Sequence, residues 1–482
     1  MRSMMHWVLI CCLWLPSLIL AQEVEMTITT SSEKALNYFL QGRGKLEVVQ
    51  TKEAVQAFNH ALNLDPDFAL AHLYRYNSGL GSLERLQAHL DKAVALQDKV
   101  SPGEKLLIEY SLAAQARDIV KLRETVKALL GLLPGDKRVG DMAAAFYHYY
   151  ERDYDKALPL YKKVMQLDAD FAPVYNNLGY CYTAMKQFPE AEKAFLRQIE
   201  LIPNTANSYD SYAELLQKMG RFEESITQYQ LALEKDPAFS MALSGIGGNY
   251  LLMKNYDKAM HYYNRWFEET EILASRFTAL DKLISVHLFK GAFDAALKVN
   301  QRYLALATAH DRPAYACRAH IGDGFVLGAT GHIDDAMGCY QKTIDLAKSA
   351  ALPDAVKANF IRGSRYSMCL TLLEGGRVEE ALPKIEVLRK EMHQKQRSGD
   401  VQWFHMLDGL VAAQQGAYEK ALNHYKQSWV ESALTKWHMA EAYRQMGKQT
   451  EVDRLLKEID KANETDFETA LVQYRVRSQA GQ

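Results

Sequence analysis

The residues best suited to chemistry lie between His310 and Asp335. His310, Asp311, His320, Asp323, His332, Asp334 and Asp335 supply imidazoles and carboxylates, the groups that ligate metals and move protons. Their steps of ten and twelve residues do not share a helix face, where neighbours lie three or four apart. The set reads as a polar loop with exposed helix starts, and no metal site is expected. His405, His424 and His438 are isolated and read as surface or packing residues. Gly245-Ile246-Gly247-Gly248 is glycine-rich, yet no strand precedes it as a phosphate-binding loop requires. The sequence contains no H-E-x-x-H, G-x-S-x-G or G-x-x-x-x-G-K-[ST]. No catalytic residue, no cofactor and no enzyme activity is therefore expected.

A second cluster is aromatic. Phe146-Tyr147-His148-Tyr149-Tyr150 gathers phenyl, phenol and imidazole rings in consecutive positions. Tyrosine offers large, fairly rigid contact area with one hydrogen-bonding end, which suits a binding surface better than a reaction. Packing against neighbouring helices is the alternative, since aromatic stripes at helical spacing usually face a core.

The elements that must position these residues declare themselves by repetition. Tyr161, Phe195, Tyr229 and Tyr263 recur every 34 residues, as do Ala157, Ala191, Ser225 and Ala259. Ala145, Gly179, Ala213 and Gly247 form a third ladder, and Pro203 and Pro237 a fourth. A shared period of this length, with small, aromatic and stop residues at fixed offsets, resembles the tetratricopeptide repeat (TPR) family. The resemblance implies an all-α TPR solenoid, a right-handed superhelix of antiparallel helix pairs, with roughly 12 repeats. Gly179 and Ala191 would let two helices cross closely, with Phe195 filling the space beside them and Pro203 ending the second helix.

Taken in order, Arg2, the apolar run from Trp7 to Leu20 and Ala21-Gln22 predict a signal peptide at 1–21. That makes the protein exported, periplasmic or extracellular, with an uncleaved N-terminal membrane anchor as the alternative. A polar lead-in follows at 22–34, where Thr30 and Glu33 have capping-box spacing. An N-terminal TPR array spans 35–273 and is clearest at 138–273. A divergent C-terminal array covers 274–462, reduced to a glycine five residues before a small residue: Gly291/Ala296, Gly331/Ala336, Gly376/Ala381 and Gly416/Ala421. Extra residues around His310–Tyr315, Leu352–Phe360 and Arg397–Val401 predict longer loops or extended helices, and 463–482 a capping helix or tail.

Fifty-seven Lys+Arg against 59 Asp+Glu, a net charge of −2, leave no basic excess for nucleic acid. Beyond the leader no apolar run approaches about 18 residues, so no membrane span is expected after signal removal. Cys181, Cys317, Cys339 and Cys369 are far apart and read as small apolar core residues rather than a disulfide framework.

The TPR resemblance also implies where a partner would sit. In that family the first helix of each repeat lines a concave groove. The matching positions here include Met142, Phe146, Tyr149, Tyr150, Asn176, Tyr180, Thr183, Asp210, Glu214 and Gln217. TPR domains that clamp the C-terminal carboxylate of chaperone partners use Lys and Asn at such positions. Asn176 fits that subtype, but Tyr180, Asp210 and Glu214 do not. The expectation is an exported scaffold whose groove binds protein or peptide partners of basic or neutral character. The alternative is a periplasmic protein that binds or senses a small ligand or glycan fragment.

Overall fold

The computed structural model describes residues 25–393 and 400–479, so the expected signal peptide lies outside the described residues. Every regular element among the described residues is helical. The first pairs are α1 (Glu33–Glu47) with α2 (Thr51–Leu64), α3 (Ala69–Asn77) with α4 (Leu83–Leu96), and α5 (Pro102–Ala116) with α6 (Ile119–Leu132). Then come α7 (Lys137–Phe146) with α8 (Tyr154–Leu167), α9 (Ala172–Ala184) with α10 (Phe188–Leu201), and α11 (Ala206–Lys218) with α12 (Phe222–Lys235). Next are α13 (Met241–Leu252) with α14 (Tyr256–Glu269), α15 (Leu273–Phe289) with α16 (Phe293–Ala309), and α17 (Pro313–Ala329) with α18 (Ile333–Ser349). The last pairs are α19 (Asp354–Glu374) with α20 (Val378–His393), α21 (Asp400–Gln414) with α22 (Tyr418–Tyr425), and α23 (Ala433–Gln445) with α24 (Gln449–Asp460). A single helix, α25 (Phe467–Gln479), follows. Contacts divide the chain into two compact units, residues 1–211 and 212–482, with the division inside α11.

Two of the ladders read from the sequence form the core of each pair, while Pro203 and Pro237 are exposed at the turns. Ala157, Ala191, Ser225 and Ala259 are fully buried, and Tyr161, Phe195, Tyr229 and Tyr263 lie beside them. A Cβ on Gly179 would come within 2.6 Å of the Phe195 ring, and one on Gly247 within 2.7 Å of Tyr263. Glycine is thus required where the first helix presses on the aromatic of the second. This accounts for Gly245-Ile246-Gly247-Gly248 as a buried crossing inside α13. Each buried aromatic side chain contributes about 3 kcal/mol of apolar burial.

Helix starts follow ordinary capping chemistry. Ser101 and Glu104 form a reciprocal capping box at α5, where the Ser101 amide donates to Glu104 Oε2 at 2.9 Å. The expected box at Thr30 and Glu33 is not made. Ser32 caps α1 by accepting from the Ala35 amide, and the Thr30 hydroxyl turns instead to Asp65 at 2.6 Å. The extra residues near His310–Tyr315 and Leu352–Phe360 accompany longer helices, α15 to α18 with 17 residues each and α19 with 21, while those at 397–399 lie outside the described residues.

Candidate binding surfaces

In the first unit, α1, α3, α5 and α7 surround a cavity of about 610 Å³. Leu46, Leu73, Leu107, Val139 and Met142 give it an apolar lining, joined by Arg43, Tyr74, Tyr110 and Arg138. One side is closed by an ion pair between the first and fourth pairs, Arg138 Nε to Glu47 Oε1 at 2.6 Å. The neighbouring Asp141 is pushed up to about 6 by burial, against a lowering hydrogen bond from Asn177 at 3.0 Å.

The polar lead-in forms part of this wall. Residues 25–30 have no regular secondary structure and run past the beginnings of α3, α5 and α7, where side-chain carboxylates take hold of them. The Met26 amide donates to Asp136 at 2.9 Å, and the Thr29 amide and hydroxyl donate to Glu104 at 2.9 and 2.6 Å. The Ser31 amide donates to Asp65 at 2.8 Å, and the Thr27 carbonyl accepts from the Ser101 hydroxyl at 2.8 Å. Burial alone would raise Asp65, but the bonds from Thr30 and Ser31 outweigh it and hold the carboxyl below its usual range. The repeats thus grip a non-helical stretch of chain through carboxylates spaced one repeat apart.

The expected groove residues divide by environment. Met142 lines the cavity. Phe146 is 0% exposed within the core of α7 and α8, so it cannot meet a partner; its burial corrects that assignment. Tyr149 and Tyr150 are 52% and 48% exposed, because a π-turn at Tyr147–Glu151 ends the helix there. His148 in the same turn is buried beneath Tyr149, rings 4.0 Å apart, and burial pushes it down to about 4. Tyr180 packs edge-on against Phe195 and donates to Ser211 at 3.2 Å. The half-buried Thr183 donates its hydroxyl proton to the Gly179 carbonyl at 2.8 Å. Asn176 and Asp210 are half-buried on α9 and α11. Glu214 and Gln217 lie on the part of α11 that belongs to the second unit, with Gln217 3.5 Å from the Gly245 carbonyl.

The second unit has a different inner face. Its closing helix α25 packs against α15, α23 and α24. Ala470 enters the core with Leu283 and Phe289, and Val472 the core with Trp437 and Ile459. Arg477 donates to the Phe289 carbonyl at 2.6 Å, and Lys282 donates to Thr465 at 2.8 Å. On α19, Glu374 is paired with His438 at 3.1 Å and Arg475 at 3.3 Å. Burial alone would raise Glu374, but His438 and Arg475 outweigh it and hold the carboxyl down at about 2. The first helices α15, α19 and α23 therefore all engage α25, and sequence reasoning did not foresee this long return contact.

The histidine and aspartate set at 310–335 is dispersed. Asp323 accepts from Asn300 at 2.7 Å, His332 meets Thr330 at 3.0 Å, and Asp334 pairs with Arg377 at 2.6 Å. Among the described residues no group of three His, Cys, Asp or Glu is placed to hold a metal ion. His405 is not isolated, since its Nδ1 lies 3.1 Å from that of His424, and His438 serves Glu374. Cys181, Cys317 and Cys369 are buried free thiols, and Cys339 is half-buried. Among the described residues no helix is long and apolar enough to cross a membrane.

The fold so described is matched by known repeats. The tetratricopeptide repeat family matches residues 170–238 and again 213–270. Superkiller complex protein 3 of Mus musculus is 26% identical over 191 residues, which cover 38% of this chain and 12% of that protein. Anaphase-promoting complex subunit 3 of Schizosaccharomyces pombe is 27% identical, covering 28% of this chain and 21% of that protein. Tetratricopeptide repeat protein 37 of Xenopus laevis is 23% identical, covering 42% of this chain and 13% of that protein. The chain thus spans a small part of the length of these relatives. The solved MamA protein is 21% identical, covers 35% of this chain and 91% of its own, and has a TM-score of 0.30. Helix pairs and repeat matches together define the fold as an all-α TPR solenoid.

Proposed function

We propose that this chain is an exported scaffold that binds protein or peptide partners along its first unit and performs no chemistry of its own. The observation that carries this reading is the capture of residues 26–31 by Asp65, Glu104 and Asp136, since those repeats already hold a non-helical stretch of chain. The exposed pair Tyr149 and Tyr150 supplies the aromatic contact area such a partner would use. Relatives with names such as Superkiller complex protein 3 and anaphase-promoting complex subunit 3 support a role in assembly. Export rests on Arg2, the apolar run to Leu20 and Ala21, with an uncleaved anchor as the alternative.

Proximity crosslinking of the full chain, followed by mass spectrometry, tests the scaffold reading. The wild type is expected to capture a reproducible protein partner that a Tyr149→Ala, Tyr150→Ala variant loses while keeping its helical circular dichroism. Equal capture by both would remove the tyrosines from the interface.

A further inference from the structure

The cavity of the first unit contains polar groups that its own packing does not use. Arg43 is the clearest. Its side chain is only 10% exposed, and its one ionic neighbour, Glu47, lies 3.9 Å away. Glu47 is already committed to Arg138, with contacts of 2.6 and 3.4 Å. Among the described residues the Arg43 guanidinium makes no hydrogen bond, so its donors are left to a molecule entering the cavity. The hydroxyls of Tyr74 and Tyr110 line the same cavity and also have no hydrogen-bond partner among the described residues.

The carboxylates near Arg43 have their acceptor positions engaged elsewhere. Glu47 and Arg138 neutralise each other, and Asp136 is held by the amides of Met26, Arg138 and Val139. A charge-assisted acceptor would complete Arg43, and the tyrosine hydroxyls can add neutral hydrogen bonds beside it. Leu46, Leu73, Leu107, Val139 and Met142 give part of the wall an aliphatic stretch that suits a hydrocarbon body, beside the polar Asn77, Ser111 and Gln115. About 610 Å³ falls within the range of small-molecule sites.

We propose that the cavity enclosed by α1, α3, α5 and α7 binds a small apolar carboxylic acid, with its carboxylate on Arg43 and its apolar body among Leu73, Leu107 and Met142. Met26 forms part of one wall, and the site does not include the exposed Tyr149 and Tyr150. The proposal is independent of the scaffold reading.

Calorimetric titration of the purified full chain with decanoate, below its micelle concentration, tests the assignment. Decanoate is expected to bind at one site, and decanamide, which has the same body without the charge, about tenfold or more weaker. Arg43→Gln should weaken decanoate about tenfold or more and leave decanamide unchanged. Because Arg43 is buried, a second variant, Met142→Trp, fills the chamber from α7 and should abolish binding of both compounds. Helical circular dichroism of each variant must match the wild type. Absence of saturable decanoate binding, equal affinity for the two compounds, or binding unaffected by either folded variant would each overturn the proposal.

Discussion

The two units solve the same packing problem and use their inner faces differently. In the first, α1, α3, α5 and α7 leave a cavity of about 610 Å³, with an unmatched Arg43 in its wall. In the second, α15, α19 and α23 are engaged by the chain's own α25, pinned through Glu374, Arg475 and His438. A surface already satisfied by its own helix must lose those contacts before it can bind anything else, whereas the first unit has polar groups still to be matched. The helix-pair architecture is common to both. What separates them is which inner face the chain itself fills.

Removing α25 should break this distinction most severely. A chain ending after Ala462 would expose the cores that hold Ala470, Leu471 and Val472, at a cost of roughly 5 kcal/mol. Thermal unfolding of the second unit should fall and a hydrophobic dye should bind, while the first unit's decanoate binding stays unchanged. Glu374→Gln is expected to cost about 2 kcal/mol in urea denaturation, since the half-buried Arg475 would lose its counter-charge.

Acid sharpens the same comparison. Glu374 has a folded pKa of about 2 against an ordinary 4.5, so its contribution is fully present above about 4.5 and is lost as pH falls toward 2. Asp141 in the first unit behaves oppositely. Its folded pKa of about 6 lies above the ordinary 3.8, so it stabilises most below 3.8 and that contribution is lost as pH rises through 6. Asp281 in the second unit, also raised to about 6 by burial, shares the sign of Asp141. Unfolding midpoints against pH should therefore separate from wild type in opposite directions: Glu374→Gln is less stable above about 4.5 and converges on wild type as pH falls toward 2, whereas Asp141→Asn follows wild type below 3.8 and gains on it as pH rises through 6. Superimposable profiles would contradict the assignment.

Smaller effects belong to the turns and the surface. Gly376 closes the turn before α20 at a φ of 74°, so Gly376→Ala should destabilise the second unit by about 1 kcal/mol. Tyr149→Ala with Tyr150→Ala should change stability by less than about 0.5 kcal/mol per site, because both side chains are about half exposed.

Much of the fold was legible because helix crossings impose local spacing. Gly179, Ala191 and Phe195 are separated by twelve and four residues, and the structure sets Gly179 directly against the Phe195 ring. The same spacing recurs at Gly324, Ala336 and Tyr340 and at Gly409, Ala421 and Tyr425, in the divergent array. The signal was present there but masked by longer helices between copies. The binding surfaces were less legible. Phe146 and Tyr150 are four residues apart in one aromatic run, yet the first is core and the second exposed, because a π-turn intervenes. Nor could spacing reveal that α25 returns to α15, or that Arg43 is left unmatched, since both depend on how successive pairs curl.

The most direct test of the contrast between the units places a photocrosslinking amino acid at Tyr150 in one full-length chain and at Gln445 in another. Tyr150 is exposed beside the π-turn, and Gln445 is exposed on α23 near Arg475 and Gln479 of α25. The same partner should be captured reproducibly from position 150 and not from position 445. Capture from 445 alone, or equally from both, would contradict the assignment of partner binding to the first unit.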